Sequence, residues 1–131
     1  AHPNLAGVQL DCPGVIADQV LIEYDDPGRP WLHWSQQLAS AGLDSIRPKQ
    51  VLRFNQYDQA IQAAMSAQGI ALGRLPLVEP LLAQGRLVKL ASPAGLALST
   101  YAYWLVRLRQ EDRDDVAAVV AWILAQARES A

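Results

Sequence analysis

The chain has 131 residues, 51% of them hydrophobic and 18% charged, with a formal net charge of −2. That length and apolar content suit one domain with a real core and are too short for two. The eleven Lys and Arg residues spread from Arg29 to Arg128 without a dense block, which argues against nucleic-acid binding by this chain itself.

Charge content falls below the ~25% usual for a soluble domain, so some apolar surface is expected to meet another surface. Cys12 is the only cysteine, which excludes a disulfide framework or a multi-cysteine zinc site within one chain and suits a reducing compartment. The most apolar stretch, 116–127, is short and interrupted by Trp122 and Gln126, so no membrane span is expected. Ala1-His2-Pro3-Asn4 lacks the basic-then-apolar pattern of an export signal, and a cytoplasmic location is the expectation.

In chain order, residues 1–19 read as loop with at most one short helical turn, punctuated by Pro3, Gly7, Pro13 and Gly14. Val20-Leu21-Ile22-Glu23-Tyr24 is a β-branched and aromatic run, hence a strand, and Asp25-Asp26-Pro27-Gly28 ends it with turn chemistry. Pro30 suits the first position of a helix. Trp31, Trp34, Leu38 and Ala41 then fall on one stripe, and Gly42 is placed to end the helix in a left-handed cap.

Val51-Leu52-Arg53-Phe54 is the next strand. Asn55 is a candidate N-cap with Asp58 three residues on, and Tyr57, Ala60, Ile61, Ala64 and Met65 line an amphipathic helix that Gly69 is expected to stop. Ile70-Ala71-Leu72-Gly73 reads as a strand covered on both faces. A helix follows from about 77 to 84. Pro80 is assigned to its first turn, because proline disrupts a helix interior, and Gly85 closes it. Leu87-Val88-Lys89-Leu90 reads as a third strand of this block. The order strand, helix, strand, helix, strand predicts an α/β layer with parallel strands.

After the connector Ser92-Pro93-Ala94-Gly95, residues 96–108 read as one or two strands. Tyr101, Tyr103 and Leu105 lie on one face and Ala102, Trp104 and Val106 on the other, both apolar, so this segment wants cover on both sides. A last helix, 112–128, begins among Glu111, Asp112, Asp114 and Asp115, where negative charge suits the helix dipole. Its stripe is Val116, Val119, Val120, Ile123, Leu124 and Ala127.

The set Phe54-Asn55-Gln56-Tyr57, Ala60-Ile61-Gln62-Ala63-Ala64-Met65, Gly69-Ile70-Ala71-Leu72-Gly73-Arg74-Leu75-Pro76-Leu77-Val78 and Gly85-Arg86-Leu87-Val88 resembles the back half of a LysR-type effector domain. Trp31, Trp34, Ala41-Gly42-Leu43 and Tyr103-Trp104-Leu105-Val106 resemble the branch that holds glycine-cleavage activators and β-lactamase regulators. The resemblance spans the chain. It implies a periplasmic-binding-protein-like (type II) α/β fold with two lobes and a small effector between them.

In that frame residues 15–92 would form a second lobe, and 96–131 would supply a returning strand and last helix of the first. Most of the first lobe and the winged helix-turn-helix that binds DNA in such regulators have no counterpart in this chain. DNA would therefore be a partner only through an absent N-terminal domain. The segment 96–108, short of neighbours, is expected to pair with another chain, so a homo-oligomer is expected.

Ligands of open α/β sheets collect beyond the carboxyl ends of the strands. That rule selects Tyr24, Asp25, Asn55, Gln56, Tyr57, Gly73 and Arg74 as effector-binding candidates. Amides opening the helix after Asn55 could hold a carboxylate, and the resemblance implies that the turn at Asn55–Tyr57 lines the cleft. Asn55 could equally serve only as a cap, Gly73 only in packing, and Arg74 as a solvated arginine instead of a partner for an anionic effector. Tyr101 and Tyr103 face either the cleft or the core.

His2 and His33 are too far apart for a metal pair, Ser35, His33 and Asp25 lack a nucleophile elbow, and Gly69 to Gly73 is no dinucleotide fingerprint. No catalytic, metal or cofactor site is expected, and an enzyme is not. A solute-binding protein of a transporter, which shares the fold, or a stand-alone small-ligand-binding module is the competing class.

Overall fold

A computed structural model of the chain describes residues 1–10, 12–91, 104–106 and 113–129. Packing divides it into two units, Ala1–Ser99 and Thr100–Ala131.

The first unit is built on three parallel strands, β1 (Val20–Tyr24), β2 (Gln50–Phe54) and β3 (Ile70–Ala71), in the order β2-β1-β3. Leu21 sits opposite Val51 and Ile70, and Ile22 opposite Leu52 and Ala71. Because side chains alternate across a strand, this register sorts the apolar residues into two layers. Leu21, Val51 and Ile70 pack with Trp34 and Leu38 of α2 (Trp34–Ser40) and with Ile16 of α1 (Pro13–Ala17). Ile22, Leu52 and Ala71 pack with Ala60, Ile61, Ala63 and Ala64 of α3 (Tyr57–Met65) and with Val78 of α4 (Leu75–Ala83). Helices thus cover both faces of a parallel sheet, as parallel sheets require.

Several local features differ from expectation. The stretch after Arg29 is two pieces, a 3-10 turn Pro30–Leu32 and then α2, with His33 extended between them. Leu32 in the first piece is buried, while Trp31 is only half-buried.

The N-cap of α3 is Gln56, not Asn55. Gln56 has extended backbone and makes no side-chain cap bond, and its Oε1 accepts from Gln59 Nε2 at 3.3 Å. Gly69 does not stop α3 either. Ala67 does so in a left-handed conformation (φ 59°), with the Gln68 amide donating to the Ala63 carbonyl and the Ala67 amide to that of Ala64. Gly69 serves the sheet instead. A Cβ there would lie 2.4 Å from the Val20 carbonyl oxygen, so its bare backbone lets β3 start against β1.

Helix α4 begins at Leu75, with Pro76 in its first turn and Pro80 inside it. Pro80 costs the bond to the Pro76 carbonyl, and it is tolerated because both prolines lie on the exposed side, where water can satisfy that oxygen.

Residues 87–90 form no strand. The Val88 amide donates to the Ala1 carbonyl at 2.8 Å, the Ala1 amino group donates to the Val88 carbonyl at 3.0 Å, and the Leu10 amide donates to the Ala91 carbonyl at 3.4 Å. With those groups taken by the amino-terminal segment, this stretch adds side chains to the sheet instead of a ladder. Leu87 enters the α3 layer and Leu90 the α2 layer.

In the second unit, α5 (Asp114–Glu129) is the described helix, with Asp114 and Asp115 in its first turn. Trp104, Leu105 and Val106 have no regular structure and are exposed; the rest of the expected strand at 96–108, with Tyr101 and Tyr103, lies outside the described residues.

Candidate functional site

The carboxyl ends of the three strands point to one edge of the first unit, because the strands are parallel. Tyr24 ends β1 and Tyr57 opens α3 just beyond β2. Their rings meet edge to face, with centroids 5.9 Å apart and planes at 79°. Arg74 follows β3 and completes the group. Its backbone amide donates to Tyr57 Oη at 2.6 Å, and its guanidinium carbon lies 5.8 Å from the Tyr57 ring centroid.

The cluster has a definite polarity. Burial pushes the Tyr57 hydroxyl above its ordinary pKa, against the opposing pull of the Arg74 amide and charge. The hydroxyl therefore stays protonated at neutral pH. Since its oxygen already accepts from Arg74, its own proton is available to donate.

Among the other candidates, Asp25, Asn55, Gln56 and Gly73 are exposed along the same strand ends. The Asp25 amide extends the β1–β2 ladder one step by donating to the Phe54 carbonyl at 2.8 Å. A Cβ at Gly73 would meet Val78 Cγ2 at 3.4 Å, ordinary contact, so packing alone does not demand a glycine there. No side chain caps the amino end of α3.

One positioning residue is not among the candidates that the sequence suggests. Glu23 is 4% exposed. Its carboxylate accepts from the Trp34 amide at 2.8 Å and from Arg53 Nε at 3.1 Å, while Trp34 Nε1 donates to the Ile22 carbonyl at 2.9 Å. Glu23 thus caps α2 from the neighbouring strand and fixes the strand end that carries Tyr24. Its signal in the sequence is a lone carboxylate inside an apolar run, which needs a partner if the run is buried.

Two open grooves flank the sheet. One of about 250 Å3 runs between α3 and α4 from Tyr57 to Arg86; the other, about 330 Å3, lies on the α2 side above Glu23 and Arg53. Of the candidate residues only Tyr57 lines either. Among the described residues no three His, Cys, Asp or Glu side chains converge as a metal site would need, and no helix is long and apolar enough to cross a membrane. His2 Nδ1 accepts from the Asn4 amide at 3.2 Å, and His33 Nε2 is buried without a hydrogen-bond partner.

A family model described as LysR substrate binding domain matches residues 1–128. No curated protein matches the chain, and no solved structure does. The match covers almost the whole chain, and the three-stranded parallel sheet between helical layers accords with the periplasmic-binding-protein-like type II fold of that family. The chain belongs to the LysR substrate binding domain family, a regulatory and ligand-binding one, and is the small-molecule effector-sensing part of a LysR-type transcriptional regulator.

Proposed function

We propose that the effector is a small anion bound at the strand-end edge by Tyr57 and Arg74, with Tyr24 as an apolar wall. The observation that carries this reading is the Tyr24–Tyr57–Arg74 cluster, which supplies a hydroxyl donor and a guanidinium side by side at the edge where α/β sheets bind ligands. Asn55 and Gln56 flank it as further polar contacts, and the uncapped first-turn amides of α3 add a favourable dipole. Gly73, exposed beside Arg74, lets a ligand approach the backbone closely. Asp25 is the one acidic candidate, and it would confine an anion to the Tyr57 side of the edge.

In this reading residues 15–92 form the second lobe, and 96–131 belong to the first. Effector binding would shift the balance between lobe arrangements, and so the placement of DNA-binding domains in an oligomer of the full regulator.

The test is thermal unfolding of the chain in the presence of small mono- and dicarboxylates and inorganic phosphate. Binding at a hundred times the dissociation constant adds about 2.7 kcal/mol, a shift of several degrees. Arg74→Gln and Tyr57→Phe are each expected to remove that shift. Because Tyr57 stays protonated up to and above its ordinary range, the effect of the carboxylates should be flat between about pH 6 and pH 9. A shift that survives Arg74→Gln would place the anion elsewhere.

A further inference from the structure

The groove on the α2 side of the sheet is built from residues that the effector candidates do not include. Strand register creates it. Leu21 and Glu23 lie on one face of β1, and their partners Val51 and Arg53 lie on the same face of β2. Side chains of α2 and of residues 44–48 complete the walls. Trp34, Leu38, Ile46 and Val51 thus surround a space of about 330 Å3. That volume stands at the small end of ligand pockets and suits a body of a few carbon atoms.

The charged groups of the groove fall into two layers. The inner one is the buried Glu23 carboxylate, and both of its oxygens are occupied: Oε2 accepts from the Trp34 amide at 2.8 Å and Oε1 from Arg53 Nε at 3.1 Å. Glu23 therefore holds Arg53 in place. The Arg53 side chain is still 63% exposed, and its terminal nitrogens have no partner among the described residues. Arg47 is anchored in a similar way. One terminal nitrogen donates to the Asp44 carbonyl at 3.0 Å and the Ile46 carbonyl at 3.3 Å, and its other donors have no partner among the described residues.

Two guanidiniums, each pinned through one nitrogen and open at others, thus border an apolar hollow. Their geometry matches a carboxylate, and prior anchoring lowers the ordering cost of binding one. Glu23 and Asp44 also line the groove, so its four charged side chains sum to zero. A single negative charge on a ligand is matched by the open donors, whereas a dianion would face both carboxylates with twice the repulsion.

We propose that this groove is a second binding site, for a monocarboxylate with a short apolar body. The body lies against Leu38, Ile46 and Val51, and the carboxylate takes the open donors of Arg47 and Arg53. The site uses none of Tyr24, Tyr57 and Arg74, so it stands or falls apart from the reading of the strand-end edge.

The test is a titration of the isotope-labelled full chain with hexanoate at neutral pH, followed by backbone amide and indole resonances. This readout separates the groove from the strand-end edge within one experiment. For a ligand of about eight non-hydrogen atoms, a dissociation constant on the order of 1 mM is expected. The amides of Leu38, Ile46 and Val51 and the Trp34 indole should move together on one saturation curve. Arg47→Gln alters an exposed side chain outside every helix and strand, and it should weaken binding about tenfold through the lost charged hydrogen bond. Hexanol, which keeps the body without the charge, and inorganic phosphate, which keeps the charge without the body, should each bind about tenfold more weakly or worse. Groove resonances that stay still up to about 20 mM hexanoate would overturn the proposal, as would shifts confined to Tyr57 and Arg74. So would an unchanged constant in Arg47→Gln, or hexanol or phosphate binding in the groove as tightly as hexanoate.

Discussion

Helices α3 and α5 start from the same kind of sequence and end differently. Each shows apolar residues at three- and four-residue spacing with an acidic first turn. In α3, Ala60, Ile61, Ala63 and Ala64 are all buried against β1 and its neighbours, and small residues let the helix lie close to the sheet. In α5, most of the stripe remains in water. Periodicity determines which face of a helix is apolar; what covers that face depends on chain elsewhere. For α3 the cover comes from β1 together with β2 and β3, the strands on either side of it in sequence. The stripe of α5 finds no such cover among the described residues.

The largest expected effect would break this contrast if it failed. Ile61 is 7% exposed in the α3 layer, and Ile61→Ala is expected to cost about 3 kcal/mol through lost transfer energy and the cavity left behind. Ile123→Ala in α5, measured by urea unfolding, should change stability by no more than about 0.5 kcal/mol. Equal costs at the two sites would mean that the α5 stripe is covered within a single chain.

A second substitution probes how tightly the first unit is drawn together. At Gly69 an added Cβ would meet the Val20 carbonyl oxygen at 2.4 Å and its carbon at 3.0 Å. The obstacle is backbone, which cannot rotate aside, so Gly69→Ala must push β3 from β1 and is expected to cost about 2 kcal/mol. Gly14→Ala, where nothing lies within 4 Å, is the control and should be tolerated. A tolerated Gly69→Ala would show that the β1–β3 contact yields easily.

The parallel block is legible in the sequence because its signals are local. The apolar run at 20–24, the run at 51–54 and the stripe from Tyr57 to Met65 each declare an element within a few residues. Tyr24, Tyr57 and Arg74 stand out as candidates because strand ends follow from strand order; their ring and hydrogen-bond contacts do not, since those depend on how β1 is flanked by β2 and β3. Glu23 is hidden for the same reason: its partners Trp34 and Arg53 are eleven and thirty residues away. The expected strand at Leu87 fails on competition, as the amino-terminal segment takes its backbone bonds. Pro80 misplaces the start of α4 because the expectation put it in the first turn, whereas the helix begins at Leu75 with Pro76 there and carries Pro80 inside, on an exposed side where water can satisfy the carbonyl left without a donor.

The smallest effect concerns three helix ends that share one design. Helices α2, α3 and α4 all close with paired amide-to-carbonyl bonds: Gly42 to Ala39 with Leu43 to Leu38, Ala67 to Ala64 with Gln68 to Ala63, and Gly85 to Leu82 with Arg86 to Leu81. The residue that turns the chain sits at φ 71°, 59° and 67° respectively. Two of the three are glycines, which adopt that conformation without penalty, whereas Ala67 must press its Cβ toward the carbonyl oxygen. Glycine is the usual signal for such an end and points to Gly69, but Gly69 is held by its approach to Val20 and is not free to serve. Ala67→Gly relieves the strain and gives back part of the gain through the greater freedom of the unfolded chain. A net stabilisation of about 0.5–1 kcal/mol is expected, read as a rise in the urea midpoint at constant slope. Substituting Gly42 by alanine should cost a similar amount. If Ala67→Gly destabilises instead, the left-handed turn after α3 is imposed by the packing of the α3–β3 connection and not by the cap.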